Sequence, residues 1–434
     1  MRLQKPTIVR QADRPAPASF TLLPWRQIGW FALAGVAGCL LPVNGQAQPK
    51  LRSSPYLPFG SPDQAKYTLK WGPLKGRLEG TLQTEFNDNI NLAHRNGESD
   101  ISFGPNVTLG FTWQITKDQS LEFDIGGGYK WFLNHPSISS ISIAPNSRLA
   151  HRFFIQDFVF DLHDQFSIQT DPTSLGTLNG TNGALIDFQR VANIAGISVS
   201  WEPLKGMTLH GGYDFTLDRS LTGQFKDLDK NSHSFSSSIS YALTPRWTVG
   251  LQGTYGITEY VLPVQNNGNS WSTGPFFTYR PSSFTSISAS VVYINSSFDR
   301  SGSLADTSSA GTLAYTLTIN NILNKHNEHY LQAARSIADG YGSNYTDSYT
   351  AQYGLRTRLN AKTTWQNTIG YEHLSSSIVG GEVANRILLY SGITREVSDH
   401  VRVGLSYTYS MKDSSLATGG YAQNRVLLEF TRHF

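Results

Sequence analysis

Histidine and carboxylate side chains are the groups in this 434-residue sequence best suited to acid–base, nucleophilic or metal chemistry. Hydrolytic chemistry needs a serine, aspartate or glutamate held within hydrogen-bond reach of a histidine. Eleven histidines are present, but none lies in a recognisable catalytic motif. We therefore expect no enzymatic activity and name no catalytic residue.

Three short motifs contain residue types that could bind a ligand, but each can also be explained by local structure without one. HNEH at His326–His329 has metal-ligand residue types, but it lies on a predicted short turn, so we favour a solvated turn. NDN at Asn87–Asn89 carries oxygens that suit Ca²⁺, but without an EF-hand-like loop we prefer a strand-end turn. GGG at Gly126–Gly128 interrupts a strand pattern, where small residues let inward side chains fit or let the sheet bend. We predict no metal and no cofactor.

Alternation of apolar and polar residues is the dominant pattern after Pro62. In His400–Met411, valine, leucine, tyrosine and methionine occupy every second position, and polar residues or glycine occupy the others. The same period recurs in Ser120–Phe132, Arg246–Thr258 and Tyr349–Leu359. A period of two indicates strands that have one apolar and one polar face.

The connections between these strands fall into two alternating classes. Short ones such as Thr116–Gln119 and Leu243–Arg246 alternate with longer ones rich in Gly, Ser, Asn and Asp. Another short connection is predicted at Leu162–Gln165, between strands 148–161 and 164–172. We count about eighteen strands, with a range of 16–20. The pattern predicts an all-β fold: a transmembrane antiparallel up-and-down β-barrel with short periplasmic turns and longer extracellular loops.

Composition agrees with a barrel in lipid. Charged residues make up 15% of the sequence, whereas soluble domains carry about 25%. Lipid offers no hydrogen-bond partners, so only helices or closed sheets span it, and the sequence contains no convincing helical period. The net charge of +3 gives no electrostatic footprint for nucleic acid.

The N-terminal region resembles an export signal. Arg26 precedes the apolar run Ile28–Val43, and Gly45–Ala47 supplies the small residues that a signal peptidase needs. A membrane anchor is the alternative, and Cys39 in a lipobox-like VAGC leaves lipidation open. We expect a signal peptide at 1–47, a short periplasmic lead-in at 48–75 and the barrel at 76–434. The expected location is the outer membrane of a Gram-negative-type cell.

Tryptophans mark the expected membrane interfaces. WGPLKG begins at Trp71 and WEPLKG at Trp201, and TPRW ends at Trp247. Tryptophan is favoured at the membrane–water boundary, and proline with glycine suits the turn that follows. We assign these three to a periplasmic girdle, with a chance repeat around a β-turn as the alternative. We also expect Trp271 and Trp365 at an interface.

The C-terminal strand carries an assembly signal. Its apolar face ends in Phe430 and Phe434, which resembles the terminal-strand signal recognised by barrel-insertion machinery. Arg432 departs from that pattern, because this position is normally apolar.

Charged residues on the polar face of the predicted strands are candidates for the pore lining. Acidic members come early in the chain and basic members late, and closure of the barrel brings the last strand next to the first. They brace the lumen by pairing, or they set its ion and solute preference. They are Arg77, Glu79, Glu85, Glu122, Asp124, Lys130, Arg356, Arg358, Arg386, Arg402, Arg425 and Glu429.

Leu69–Ala93 resembles the opening of the outer-membrane β-barrel porins of the second type. In that family a GP turn leads into a first strand that ends in an NDN-like motif, and here Gly72–Pro73 and Asn87–Asn89 match. The resemblance implies an outer-membrane barrel of a family often found with exopolysaccharide or envelope-biogenesis functions.

The expected function is a porin-like channel that passes small solutes through a polar lumen. One alternative is a structural or export component of an exopolysaccharide or envelope-biogenesis system. A weaker alternative is an outer-membrane hydrolase. Expected partners are outer-membrane lipid, the barrel-insertion machinery and small solutes or polysaccharide, without nucleic acid.

Overall fold

The structure, a computed structural model, describes residues 68–169 and 189–434. The predicted signal peptide, Cys39 and most of the long connection before Arg190 lie outside these residues. Within them, the helices are short 3₁₀ turns, and none is long and apolar enough to cross a membrane.

One sheet contains all the strands of the described chain, and every paired neighbour runs antiparallel. Two 3₁₀ helices, Pro136–Ile138 and Gly223–Leu228, lie in connections. The strands are β1 (Leu69–Trp71), β2 (Leu74–Asn87), β3 (Asp100–Thr116), β4 (Gln119–Phe132), β5 (Ser140–Ile143), β6 (Arg148–Ile155), β7 (Phe158–Gln169), β8 (Arg190–Leu204), β9 (Met207–Ser220), β10 (Lys230–Thr244), β11 (Trp247–Tyr260), β12 (Gly268–Ser282), β13 (Thr285–Phe298), β14 (Ala310–Ile322), β15 (Asn327–Asp339), β16 (Tyr345–Asn360), β17 (Thr363–Ser376), β18 (Val383–Ser398), β19 (Val401–Ser414) and β20 (Tyr421–His433).

The sheet closes on itself, which confirms the predicted barrel. β20 pairs with β2 from Glu79 opposite His433 to Asn87 opposite Arg425. β1 forms a small hairpin with β2, while β5 and β6 together fill one position between β4 and β7. The ring therefore contains eighteen strand positions. Closure leaves no free edge among the eighteen ring positions of the described chain.

Short turns and long connections alternate along the ring as predicted. The prediction of a turn at Leu162–Gln165 is wrong, because this segment lies inside β7 and the chain turns at Gln156 and Asp157. Gln156 takes the left-handed conformation there, with φ of 56°. The polar residues of β7 imitated a turn because inward positions of a barrel strand accept polar side chains.

The register separates an apolar face from a polar one. Leu82 pairs with Phe430, and both side chains are about half-exposed on the outer surface. One residue away, Gln83 donates to Glu429 at 3.0 Å on the opposite, inward face. Paired residues share a face of the sheet. The β2–β20 pairing, which we call the seam, therefore fixes which residues of each neighbouring strand in turn point outward.

Side chains of the NDN motif hydrogen-bond to β20 just beyond the last backbone pair of the seam, Asn87 with Arg425. The Asp88 carboxylate accepts hydrogen bonds from the backbone and side-chain nitrogens of Asn424, both at 2.6 Å. The Asn89 amide donates to the carbonyls of Ala93 at 2.9 Å and Ala422 at 2.8 Å. The strand-end interpretation of this motif is therefore confirmed, and its polar groups join the two ends of the barrel.

Replacing Asp88 should weaken barrel closure. Each hydrogen bond to a charged group contributes about 1.5–3 kcal/mol, so Asp88→Ala should lower the temperature at which the folded band disappears in a heat-modifiability gel. Asp399→Ala, in the exposed turn between β18 and β19, is the matched control and should leave that temperature unchanged. Equal behaviour of the two variants would contradict a role for Asp88 in the seam.

Candidate functional site

Exposed aromatic side chains form two belts on the outer surface. Trp247 stacks on Tyr279 with ring centroids 4.1 Å apart, and Trp201 stacks on Phe158 at 5.3 Å. Both pairs lie beside short turns. Of the five predicted interface tryptophans, Trp71, Trp201, Trp247 and Trp365 lie toward the short-turn end and Trp271 toward the long-loop end.

Two further tryptophans occupy the same outer face. Trp113 lies toward the short-turn end of β3, and Trp131 lies toward the long-loop end of β4. Both are nearly half-exposed. Sequence reasoning did not assign them to the belts, although each follows the same period-two phase as its apolar neighbours.

The two belts enclose a band of membrane dimensions. On β11, outward positions from Trp247 to Tyr255 span eight residue steps, or about 26 Å along a strand at about 3.3 Å per residue. A strand tilt of about 40° reduces this to roughly 20 Å, close to the apolar band of about 25 Å on outer-membrane barrels.

The C-terminal aromatic residues lie on the outer surface. Phe430 and Phe434 are each about half-exposed, Phe434 at the short-turn rim. The guanidinium of Arg432 lies 5.0 Å from the Phe434 ring centroid. At this rim a long basic side chain can reach water while its stem contacts the ring.

Most predicted pore-lining charges form ion pairs on the inward face. Pairing cancels much of their field, which favours the bracing interpretation for these groups. The pairs are Arg77–Asp124 at 2.5 Å, Glu85–Lys130 at 2.7 Å, Arg152–Glu122 at 3.2 Å, Arg356–Glu328 at 2.7 Å, Arg402–Glu79 at 3.7 Å and Arg386–Glu372.

The remaining predicted charges are placed by the register. Glu429 accepts from Gln83, while His433 lies 3.1 Å from Glu79. Arg425 faces inward beside Asn87 at the seam. Arg358 follows the phase of Arg356 at the exposed short-turn end of β16.

A buried aspartate on β7 is the centre of an ionic cluster that sequence reasoning missed. Asp161 accepts from Arg148 at 2.7 Å and from Arg152 at 2.9 Å, and the His163 ring lies at 3.1 Å. The other nitrogen of His163 lies 2.9 Å from Asp214. The cluster was missed because a turn was predicted at Leu162–Gln165. Asp161 and His163 lie together on the inward face only if β7 is one continuous strand.

The arc of the lumen formed by β10–β14 carries hydroxyl groups in place of charge. The inward residues of β10 from Ser232 to Ser240, and their cross-strand partners on β11–β14, are serine, threonine, glutamine, glycine and apolar residues. Thr254 and Ser272 share a hydrogen bond at 2.7 Å, and Thr278 and Ser288 share one at 3.2 Å. The lumen therefore has one ionic wall and one neutral wall.

Glycines make room for inward side chains, as expected for GGG. A Cβ at Gly128 would lie 1.8 Å from the Asn106 side chain, and one at Gly126 would lie 3.0 Å from Ala144. Asn106 uses the space to donate to Gln83 at 3.2 Å. These contacts confirm the packing interpretation of Gly126–Gly128.

Apolar side chains from separate loops meet at the long-loop end of the lumen. We call Leu92, Phe225, Leu228, Tyr341 and Tyr421 the mouth cluster. Phe225, at its centre, is 1% exposed. Its members come from the β2–β3, β9–β10 and β15–β16 connections and from the start of β20.

The mouth cluster crosses the lumen. The three contributing loops are six ring positions apart, and strands are spaced about 4.8 Å apart, so the path along the wall between them is about 29 Å. Side chains in contact can therefore meet only across the interior. Lys230 on β10 also pairs with Asp339 on β15, which lies five positions away on the ring.

Arg190 holds the β9–β10 loop in this inward position. Its guanidinium donates to the carbonyl oxygens of Phe225 and Leu228, both at 2.9 Å. It also pairs with Asp218 at 2.8 Å on the neighbouring strand. This buried side chain links the loop to the barrel wall, so the position of Phe225 depends on the register of β8 and β9.

A buried amide and carboxylate node joins four long loops, one of which, between β15 and β16, also contributes Tyr341 to the mouth cluster. The Asn266 amide donates to Asn344 at 2.9 Å and to the Asp306 carbonyl at 3.0 Å. The Asp306 carboxylate accepts from the Asn344 backbone at 2.8 Å and from the Ser377 hydroxyl. Burial raises the pKa of Asp306, but hydrogen bonds from Asn344, Ser377 and Ser308 outweigh it and hold the pKa below the ordinary value of 3.8.

A serine and a histidine lie within hydrogen-bond reach of each other in the lumen. Ser200 Oγ lies 2.9 Å from His210 Nδ1 in the lumen. In the part of the chain that the structure describes, no carboxylate is hydrogen-bonded to His210, so no triad is completed there. No group of three or more His, Cys, Asp or Glu side chains that could hold a metal occurs in residues 68–169 and 189–434.

No protein-family model and no curated protein matches the sequence. Among solved structures, the chain is similar to OccK2 (OpdF) of Pseudomonas aeruginosa in complex with glucuronate, with 10% identity, a TM-score of 0.49, and 83% of this chain and 98% of that chain covered. It is also similar to P. aeruginosa OpdK with vanillate, at 11% identity and a TM-score of 0.47, covering 83% and 99%. A third is OccAB3 of Acinetobacter baumannii, at 9% identity and a TM-score of 0.48, covering 83% and 99%.

Protonation of Asp306 should loosen the loop node. A group whose pKa is lowered by folding contributes stability above its unfolded pKa and loses it as the pH falls through the folded pKa. Protection of the Asn344 region from amide exchange, corrected for intrinsic rates, should therefore fall below about pH 3.8. Asp306→Asn should lower protection already at neutral pH and remove this dependence.

Asp299→Asn is the matched control for this prediction. Asp299 lies in the same loop, where it accepts from the exposed Ser301 hydroxyl at 2.6 Å. Its carboxylate makes no hydrogen bond with the side chains of the node in the described part of the chain, so Asp299→Asn should leave both protection and its pH dependence intact. Loss of protection that is equal in the two variants would contradict the assignment to Asp306.

Proposed function

We propose that this protein is an outer-membrane channel through which small polar solutes pass passively. The observation that carries the proposal is a closed ring that is apolar outside and polar inside. An exposed apolar face of this extent is unfavourable in water and suits hydrocarbon, while closure satisfies the backbone hydrogen bonds that lipid cannot. A polar interior of eighteen strand positions is then a path for water and solutes.

The long connections support an extracellular filter in this proposal. Short turns face the periplasm and long loops the exterior in bacterial barrels of this kind. The mouth cluster then lies at the outer entrance and limits the size of entering solutes. The exposed aromatic belts support outer-membrane lipid as the surrounding partner, and Phe434 supports delivery by barrel-insertion machinery.

The hydrolase and export alternatives have weaker support. Ser200 and His210 lack a hydrogen-bonded carboxylate within the described segments, so their pairing does not supply the geometry of an activated nucleophile. An exopolysaccharide exit would in addition need a periplasmic partner to open it, whereas passive passage needs only the polar lumen. The channel therefore remains the function that the geometry favours.

Purified protein should conduct ions. After reconstitution in a planar bilayer with KCl, we expect discrete single-channel steps, because the lumen offers a continuous polar wall. Folding should be checked in the same preparation by heat-modifiability. Absence of conductance from well-folded protein, both wild type and Phe225→Ala, would rule out the channel.

Truncation at the centre of the mouth cluster should widen the entrance. Phe225→Ala removes a buried ring held between loops from distant strands, so single-channel conductance should rise, by roughly twofold if the cluster is the narrowest point. Phe235→Ala removes an outward ring on β10 and is the control, with no expected change. Unchanged conductance in Phe225→Ala would place the constriction elsewhere.

A further inference from the structure

A continuous row of serines lines the inward face of β10. Ser232, Ser234, Ser236, Ser238 and Ser240 occupy successive inward positions, and we call them the serine track. Alternate residues on a strand are about 6.6 Å apart, so the track extends roughly 26 Å along the wall. It therefore runs through most of the depth of the barrel.

Most of these hydroxyls are available to a solute. Ser232 shares a hydrogen bond with Thr258 at 3.3 Å. The side chains of Ser234, Ser236, Ser238 and Ser240 have no protein partner among the described residues, and each is half-buried on the lumen wall. A hydroxyl both donates and accepts, so it can bind a solute hydroxyl in either orientation.

Aromatic rings face inward near each end of the serine track. Phe276 lies on the same rung as Ser240, and its ring occupies the space that a Cβ at Gly250 would take, with Cζ 2.4 Å from that position. Phe298 fills the corresponding space at Gly268 on the rung of Ser232. Each glycine lets a ring lie against the wall while its remaining surface stays partly exposed.

On the side of β11–β14, the surroundings of the track carry no fixed charge. The rungs that join Ser232–Ser240 to β11–β14 contain no residue with a formal charge. On the other side of β10, Asp214 of β9 lies opposite Ser234 and is paired with His163 at 2.9 Å. A charged solute would find no counter-charge on the rungs of β11–β14. A sugar presents hydroxyls at its edge and C–H groups on its faces, which match hydroxyl donors and acceptors and an aromatic surface respectively.

We propose that the serine track, with Phe276 and Phe298 near its ends, is the path of neutral polyhydroxylated solutes such as oligosaccharides. This inference rests on the proposed channel function and adds the class of solute. Many weak, equivalent contacts along the wall let a solute enter and leave without being trapped. The ion-paired wall that begins at β9, beside the track, contributes shape and stability more than recognition.

Maltotriose is the probe for this path. Added to a conducting channel in KCl, it should reduce the ion current in a concentration-dependent way, and glucuronate, a charged sugar, should do so much more weakly. Phe276→Ala should raise the half-blocking maltotriose concentration roughly fivefold to tenfold, because one ring contact is lost. The double variant Ser236→Ala/Ser238→Ala should raise it by a similar factor through the loss of two hydroxyls.

Neighbouring residues on the same strands supply matched controls. Ser237→Ala and Phe277→Ala change the outward face beside each inward position, and both should leave the maltotriose block unchanged. Normal KCl conductance with no block by maltotriose, or an equal block in wild type and Phe276→Ala, would overturn the solute assignment alone. Absence of KCl conductance from well-folded protein, both wild type and Phe225→Ala, would instead overturn the channel itself.

Discussion

Backbone hydrogen bonding between β20 and β2 is the constraint on which the rest of this structure depends. Without this seam the sheet would have two free edges, and lipid could not satisfy their N–H and C=O groups. Asp88 and Asn89 extend the seam beyond the last ladder pair through side-chain bonds to the β20 strand. Closure then fixes which face of each strand is outside.

Once the phase is fixed, chemistry divides between the two faces. Outward residues need only be apolar, with aromatic rings where the hydrocarbon ends. Inward residues are free to be polar, and this barrel uses that freedom unevenly. Asp161 gathers two arginines and a histidine on one wall, whereas β10 presents serines on another. In the first arrangement the polar groups pair with one another, whereas in the second the hydroxyls of Ser234 to Ser240 have no protein partner among the described residues.

The long loops complete the lumen by reaching across it. Phe225 is buried because Arg190 draws its loop inward and because Leu92 and Tyr341 approach from two other thirds of the ring. A second group of loops is joined by the Asp306 and Asn344 node. Proposed entry and conduction thus depend on different parts of the protein, since loop packing controls the mouth and strand register controls the wall.

Period-two alternation was enough to predict the barrel, eighteen strand positions and the inward phase of residues such as Arg77 and Asp124, because a strand's two faces meet solvents of opposite polarity. The turn at Gln156–Asp157 was missed, because a polar inward strand and a turn have similar local composition. The sequence pattern also did not predict which side chains contact one another. Arg77 meets Asp124 because of the register of three strands. Leu92, Phe225 and Tyr341 meet only because the ring closes. Local pattern determines which face a side chain occupies, but only the closed tertiary structure brings residues from distant strands into contact.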